Sequence, residues 1–319
     1  MRTDILVPVG RVDKFLEPAL DSVRNQLGAR VRLVVVDNTM NQGSALKKLL
    51  KSCDSLVIQE KRGFAHALNA PLEQGFDFSE YVALMNSDDL SHPHRIAKQI
   101  KILIESGADL NICNIINFSG TKKIQQFFGN PNYIAYHPIL LAFGAYGLEP
   151  MWCGTREWWL KSTLRNTALH HDVVDLECGL KTFHKTHLST TPDHLYFYRK
   201  HSAQISQKMA KREHFEVVQP LLVEMLKSYG VACPSPEVLW LNRPRNFLVE
   251  KASTEEKHEL LQFQRSLLNY ALNEIAQEEI AKMILEFSSI RIGIMRKSWG
   301  LKRRIELSLQ NTSGMAPTS

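Results

Sequence analysis

The sequence lacks the features that would assign it at once to several common classes of protein. Its five cysteines form no close pair, which argues against a zinc site or a disulfide framework and favours a reducing compartment. The patterns GxGxxG and GxxxxGK[ST], which mark dinucleotide and P-loop sites, do not occur. No stretch approaches the roughly 18 uncharged apolar residues that span a bilayer, and the apolar run in MRTDILVPVG is too short for a secretory signal. We therefore expect a cytoplasmic protein.

What the sequence does contain is typical of a globular protein with a basic surplus. Its 319 residues suffice for two domains, or for one large domain with an appendage. Hydrophobic residues make up 44% and charged residues 23% of the chain, which are ordinary proportions. The formal net charge of +6 suits an anionic partner such as a nucleotide phosphate, an anionic lipid or a nucleic acid.

Residues 4–116 alternate between short β-rich runs and segments with helical periodicity. The runs DILVPV, VRLVVVDN, SLVIQEK, EYVALMN and ADLNICNIINF are predicted strands. Pro18 interrupts the first helical segment, so that helix is expected to kink or to start late. Strands without polar alternation that are separated by helices predict a parallel sheet covered on both faces.

Two of these strands end in polar clusters, at Asp37-Asn38 and at Asn86-Ser87-Asp88-Asp89. Ligands of such sheets bind beyond the carboxyl ends of the strands, so both clusters are expected at the binding edge. The adjacent carboxylates have two interpretations. They can form an Asx-type turn ahead of a helix, or they can hold a divalent cation.

The order of the segments resembles that of family 2 glycosyltransferases. The resemblance is carried, over about residues 4–206, by ILVPVGRVDKFLEPALDSVRNQ, LVVVDN, KRGFAHALNAPLEQGFDFSEYVALMNSDDLSHPHRIAKQ and HDVVDLECGLK…YFYRKHSAQIS. No single piece decides it. A strand ending in Asp, a G-x-A-x-A-x-N helix, an S-D-D-x-x-x-P turn and a closing Y-R-x-H-S-x-x-x-S motif are fairly specific together. The resemblance implies an α/β fold of the GT-A type, with a mostly parallel sheet flanked by helices, and an inverting sugar transfer from a nucleotide donor.

Three regions are predicted along the chain. Residues 1–116 form the α/β half that binds the nucleotide sugar, and residues 117–207, rich in aromatics and histidine, form the acceptor-binding half of the same catalytic domain. Residues 208–319 form a helical C-terminal region with a basic amphipathic end and a disordered tail. The basic stretch at residues 288–308 either lies on an anionic membrane surface or packs on the catalytic body with a solvated cationic face.

The resemblance also implies which residues bind the nucleotide sugar. Pro8 and Val9 would line the base pocket with Arg11 nearby, and Asp37 would accept a hydrogen bond from the nucleobase or ribose. The remaining donor-binding residues lie in the three later motifs and are Arg62, Gly63, Asn69, Ser87, Asp88 and Arg199. Trp152, Trp158 and Trp159 have two interpretations, as platforms for a sugar ring or as core.

A divalent cation, Mn²⁺ or Mg²⁺, would be held by Asp88 and Asp89 with His201, and Asp172 would be the catalytic base, with Asp175 in reserve. These residue types suit the chemistry, because a metal neutralises the departing phosphate and a carboxylate takes the proton of the attacking hydroxyl. The sequence departs from the family twice. Asn86 replaces the first carboxylate of D-S-D-D, and His171 replaces the Glu that usually precedes the position of Asp172.

The predicted function is therefore metal-dependent transfer of a sugar from a UDP-linked donor to a saccharide or lipid-linked acceptor, as in bacterial surface polysaccharide assembly.

 No nucleic acid partner is expected, and attachment to the inner face of the cell membrane would follow if residues 288–308 bind lipid. Two alternatives stay open. One is a degenerate GT-A domain that acts as a binding protein, and the other is a nucleotidyltransferase, for which the first loop PVGRVDK is a poor match.

Overall fold

The computed structural model describes residues 2–120, 122–127, 149–162, 174–202, 204, 212–242 and 252–274. The chain divides into two compact units. The first comprises residues 1–141 and 146–221, and the second comprises residues 142–145 and 222–319. The whole sheet belongs to the first unit.

The first half of the sheet is a parallel α/β arrangement with the strand order β3-β2-β1-β4. Its elements are β1 (Arg2–Val9), α1 (Leu16–Arg24), β2 (Arg30–Asp37), α2 (Gly43–Leu49), β3 (Ser55–Ile58), α3 (Phe64–Glu73) and β4 (Tyr81–Leu84). In the register of the sheet Val9 pairs with Asp37, and Asp37 pairs with Ile58. The carboxyl ends of β1, β2 and β3 therefore lie side by side, and Asp37 lies at this edge of the sheet.

Helix α1 starts later than its hydrophobic periodicity alone suggests. Its apolar residues Leu16, Ala19, Leu20 and Val23 are buried, with the spacing of one helix face. Pro18 lies in the first turn, where a backbone N–H has no helical partner and its loss costs little. The late start that Pro18 predicts is therefore what the structure has, and it leaves residues 10–15 as a loop beyond β1.

The second half of the sheet mixes parallel and antiparallel pairs. Its elements are β5 (Leu90–Ser91), α4 (Arg95–Ser106), β6 (Leu110–Ser119), β7 (Lys122–Phe127), β8 (Trp152–Thr155), α5 (Arg156–Lys161), α6 (Val174–Thr182) and β9 (Leu188–Arg199). The order continues from β4 as β8-β6-β9-β5, and β7 pairs with β6. The long β6–β9 ladder is parallel, whereas β8 runs antiparallel to both of its neighbours. The predicted α/β class, with a mostly parallel sheet flanked by helices, is confirmed.

The tryptophans around β8 belong to the core. Trp152, Trp158 and Trp159 are buried and meet edge to face, with ring centroids 5.8 and 5.3 Å apart. The indole N–H of Trp159 donates to the carbonyl of Val82 at 2.8 Å. Buried aromatic rings that pack edge to face stabilise a fold, so the core interpretation of these residues holds.

The helices that follow the sheet are α7 (Arg212–Ser228), α8 (Pro236–Leu241) and α9 (Thr254–Glu274), which confirms the helical C-terminal extension. In the second unit Val238 and Leu241 pack with Leu260. Among the helices in the described ranges, none is long and apolar enough to cross a membrane. The basic stretch at residues 288–308 lies outside the described residues.

Candidate active site

The loop after β2 leaves one carboxylate oxygen of Asp37 available. The backbone N–H and the hydroxyl of Thr39 both donate to Asp37 Oδ1, at 2.9 and 2.6 Å. No described residue donates a hydrogen bond to Oδ2, and a Cβ at Gly43 would come within 2.8 Å of that atom. Asp37 can therefore hold the turn at Thr39 through Oδ1 and accept a hydrogen bond from a ligand through Oδ2, because the two contacts use different oxygens.

Asn38 joins the ends of three segments at this edge. Its backbone N–H donates to the carbonyl of Val9 at 2.9 Å, and its side-chain amide donates to the carbonyl of Lys61 at 2.7 Å. Its side-chain oxygen accepts from the backbone N–H of Gly63 at 3.0 Å. Gly63 has a φ of 136°, a conformation that favours glycine. Asn38 thus positions the segment before α3. The polar residues at the strand end did not predict this role from sequence.

The other residues at this edge that are predicted to bind the nucleotide sugar differ in their solvent exposure. Pro8 and Val9 are buried at the end of β1, and Arg62 is exposed before α3. Arg11 is exposed and pairs with Asp13 at 2.7 Å. Asn69 is 3% exposed, and its amide donates to the carbonyl of Ala65 one turn earlier at 3.0 Å.

Asp89 is fully buried and holds the tip of β4 against β9. Its Oδ1 accepts from the backbone N–H of Arg199 at 2.7 Å, and its Oδ2 accepts from the hydroxyl of Tyr196 at 2.8 Å. Burial, with the neighbouring charge of Asp88, raises the pKa of Asp89 well above its ordinary value of 3.8, against the lowering effect of its hydrogen bonds. Both oxygens of Asp89 face the protein, so Asp88 is the better placed carboxylate for a metal.

Asn86 has a structural reason to be an amide. Its side-chain N–H₂ donates to Asp89 Oδ2 at 3.3 Å, and its backbone N–H donates to the hydroxyl oxygen of Tyr196 at 3.1 Å. An aspartate at this position could not donate and would place a second charge beside a buried carboxylate. The departure from D-S-D-D therefore keeps Asp89 supplied with donors.

Asp88 and His201 face each other at the carboxyl edge of the sheet. Asp88 Oδ2 lies 2.9 Å from His201 Nε2, and their side chains are 27% and 14% exposed. The Nε–H of Arg199 donates to the backbone carbonyl of Asp88 at 2.7 Å. His201 is held in turn by Gln204, whose side-chain oxygen accepts from its backbone N–H at 3.2 Å. Ser87 is half-buried in the same tip.

Asp88 Oδ2 and His201 Nε2 are in hydrogen-bond contact at 2.9 Å. Neighbouring ligands of an octahedral ion with bonds of about 2.1 Å are about 3.0 Å apart, so these two atoms also have the spacing of neighbouring metal ligands. Within the described ranges, no cluster of three or more His, Cys, Asp or Glu side chains could hold a metal ion. Mg²⁺ is commonly bound by one or two carboxylates together with substrate phosphates, which matches this arrangement.

Arg199 lies between two aromatic rings. Its guanidinium carbon is 4.6 Å from the ring centroid of Phe15 and 4.5 Å from that of Phe118. Phe15 also contacts His201, with ring centroids 4.9 Å apart. Sequence reasoning did not single out either phenylalanine, because residues 15, 118 and 199 are brought together only by the folded sheet.

The residues predicted as the catalytic base lie in a different part of the chain from the tip at residues 86–89. Asp172 is outside the described residues. Asp175 lies in the first turn of α6 and is 6% exposed. Glu177, which the sequence did not single out, is buried beside it and pairs with Lys181. The other oxygen of Glu177 has no hydrogen-bond donor among the described residues.

The fold is that of GT-A glycosyltransferases. The chain is similar to S. aureus TarS 1–349 in complex with UDP-GlcNAc, with 15% identity and a TM-score of 0.56, over 98% of this chain and 92% of that one. It is also similar to the mannosyltransferase PcManGT from Pyrobaculum calidifontis in complex with GDP-Man and Mn²⁺, with 16% identity and a TM-score of 0.51, over 95% and 84% of the two chains. At these identities the likeness establishes the fold alone.

Over residues 4–150 the chain matches the model of glycosyl transferase family 2, and this region belongs to that family. The bifunctional glycosyltransferase pgtA of Dictyostelium discoideum is 33% identical over 117 residues, which are 34% of this chain and 15% of that protein. Glycosyltransferase GlyA of Streptococcus pneumoniae is 26% identical over 127 residues, or 39% and 18%. The chain therefore spans less than a fifth of either curated relative.

Proposed function

We propose that this protein is an inverting, metal-dependent glycosyltransferase that transfers a sugar from a UDP-linked donor to a saccharide or lipid-linked acceptor. The observation that carries the proposal is the contact between Asp88 and His201 beside Arg199, at the carboxyl edge of a family 2 fold. A carboxylate, an imidazole and a guanidinium at one point suit a diphosphate with its cation.

The nucleoside end of the donor would lie across the ends of β1 and β2. Asp37 Oδ2 is available to accept a hydrogen bond from the nucleobase or ribose, because Thr39 occupies only Oδ1. Pro8 and Val9 would form the apolar floor, with Arg11 nearby. The loop at Arg62 and Gly63 and the helix bearing Asn69 would wall the nucleotide. UDP is proposed because TarS was crystallised with UDP-GlcNAc.

The diphosphate end would lie at Asp88, Ser87 and Arg199. When bound, Mn²⁺ or Mg²⁺ would neutralise the charge that develops on the departing phosphate, and Asp88 with His201 would hold it. Asp89 would support this end by fixing the backbone of Arg199. The guanidinium of Arg199 would add positive charge of its own, since arginine stays protonated.

A carboxylate must accept the proton of the attacking hydroxyl, and Asp172 is proposed for this role with Asp175 in reserve. The acceptor oxygen forms a bond to the anomeric carbon as the bond from that carbon to the phosphate oxygen breaks. The proton passes to the carboxylate and the electron pair leaves with the nucleoside diphosphate. The sugar configuration is inverted because attack and departure occur on opposite sides.

The acceptor and cellular site are proposed from the sequence. A lipid-linked acceptor in bacterial surface polysaccharide assembly would suit a protein attached to the inner face of the cell membrane through residues 288–308. A degenerate GT-A domain that only binds a partner is the second candidate. Asn86 favours it, because its side chain is engaged with Asp89 and leaves Asp88 as the available carboxylate of the tip.

A thermal-shift screen of nucleotide sugars, with and without Mn²⁺, tests the proposal. A ligand that binds only the folded state raises its stability by mass action, so UDP-sugars should raise the melting temperature and Mn²⁺ should increase the shift. A UDP-sugar that passes the screen should then be consumed with an acceptor. Binding without turnover would favour the degenerate domain, and no shift with any nucleotide sugar would contradict the proposed transferase.

A further inference from the structure

Phe15 occupies an unusual place for a large apolar side chain. It lies in the loop after β1, immediately before α1, and is half-buried rather than part of the core. Its backbone N–H donates to Asp13 Oδ1 at 2.9 Å, which fixes the loop locally. Its ring contacts two groups from β9 and the segment after it, namely Arg199 and His201.

The geometry around Arg199 leaves the outer edge of its guanidinium available. Its Nε donates to the carbonyl of Asp88, and the ring centroids of Phe15 and Phe118 lie 4.6 and 4.5 Å from its guanidinium carbon. Among the described residues, none accepts a hydrogen bond from the two terminal nitrogens. A guanidinium that stacks on aromatic faces keeps its N–H edge free for a planar pair of oxygen acceptors.

We propose that Phe15 is a positioning residue, which with Phe118 holds Arg199 for the diphosphate and aligns His201 beside Asp88. This inference rests on the proposed function, since it assumes that Arg199 binds phosphate. It also adds a connection within the site. The loop that follows the base-pocket residues Pro8 and Val9 carries the ring that orders the phosphate end, so recognition of the two ends of the nucleotide is linked through Phe15.

The test compares UDP with uridine by titration calorimetry in buffer without metal. Phe15→Leu keeps an apolar side chain but removes the ring face, so UDP affinity should fall about 3- to 10-fold while uridine affinity stays the same. Phe118→Leu, which removes the second ring, should give the same pattern, and Phe15→Tyr should retain wild-type UDP affinity. Combining Phe15→Leu with Arg199→Gln should lower UDP affinity no further than Arg199→Gln alone.

Phe76→Leu is the matched control. Phe76 lies 4.6 Å from the guanidinium of Arg32, the same contact at the amino end of the sheet, and its replacement should leave both affinities unchanged. Equal losses of UDP and uridine affinity in Phe15→Leu, or no loss of either, would overturn the inference. Should Phe15→Leu not fold, the Phe118→Leu result decides in the same way. Wild-type protein that binds UDP no better than uridine would instead overturn the proposed function, and this inference with it.

Discussion

Two arginines, at opposite ends of the sheet, each stack on a phenylalanine ring but make different hydrogen bonds. Arg32, at the amino end, stacks on Phe76 and makes two 2.7 Å hydrogen bonds to the buried carboxylate of Asp4. Arg199, at the carboxyl end, stacks on Phe15 at the same 4.6 Å distance but donates its Nε–H to a carbonyl. The charge of Arg32 is satisfied within the fold, whereas among the described residues none accepts a hydrogen bond from the terminal nitrogens of Arg199, which we propose to bind the diphosphate.

The same contrast separates the two adjacent carboxylates of the tip. Asp89 is fully buried with both oxygens engaged, while Asp88 is partly exposed and faces His201. Neighbours in sequence thus have opposite tasks. One holds the tip of β4 to β9, and the other is presented at the binding edge. The predictions below test this division between structural and ligand-binding charges, in order of expected effect.

The largest effect is expected from Asp88→Ala. Losing the carboxylate that would hold the cation should reduce sugar transfer by about 100-fold or more while the melting temperature changes little. Asp193→Ala is the control, since Asp193 is an exposed carboxylate paired with Lys98, and its activity should match wild type. Initial rates with a UDP-sugar and Mn²⁺ provide the measurement; equal activity in both variants would contradict the role of Asp88.

Replacing each arginine by glutamine should separate stability from binding. Arg32→Gln leaves the buried charge of Asp4 without its partner, which should cost about 3 kcal/mol of unfolding free energy and leave UDP affinity unchanged. Arg199→Gln should lower UDP affinity about 10-fold with little change in stability. Denaturant unfolding and calorimetry measure the two quantities. The contrast fails if both variants change stability and affinity alike.

Asp89→Asn should alter the pH dependence of stability. Because the pKa of Asp89 is raised in the folded state, its contribution is fully present below the unfolded pKa and is lost as the pH rises through the folded value. Wild type should therefore lose stability relative to Asp89→Asn as the pH rises from the ordinary value of 3.8. Unfolding free energies of the two proteins are measured across this pH range. Parallel profiles of free energy against pH would show that the charge of Asp89 does not destabilise the folded protein.

The smallest effect on sugar transfer is expected from changes to the basic C-terminal stretch. Deleting residues 288–319 should abolish binding to vesicles that contain anionic lipid, while transfer to a soluble saccharide acceptor is retained. Binding to neutral vesicles is the control, and it should be weak in both forms. Vesicle sedimentation measures the result; unchanged binding after the deletion would remove residues 288–308 as the membrane contact.

The sequence predicted those parts of the site that follow from strand order. The ends of β1, β2 and β4 come from apolar runs followed by polar residues, so Asp37 and Asp88 could be placed at the sheet edge. Contacts between distant residues could not be predicted in this way. Phe118 meets Arg199 through the pairing of β6 with β9, and Phe15 reaches it from the loop after β1. The separate tasks of Asp88 and Asp89 depend on which carboxylate the fold buries.

The most direct test of the central claim is the binding of UDP to wild-type protein and to Asp88→Ala, measured by calorimetry with and without Mn²⁺. The account predicts that Mn²⁺ tightens UDP binding to wild type and has little effect on the variant, with metal-free binding through Arg199 retained in both. UDP binding that is unaffected by Mn²⁺, and unchanged by Asp88→Ala, would contradict it.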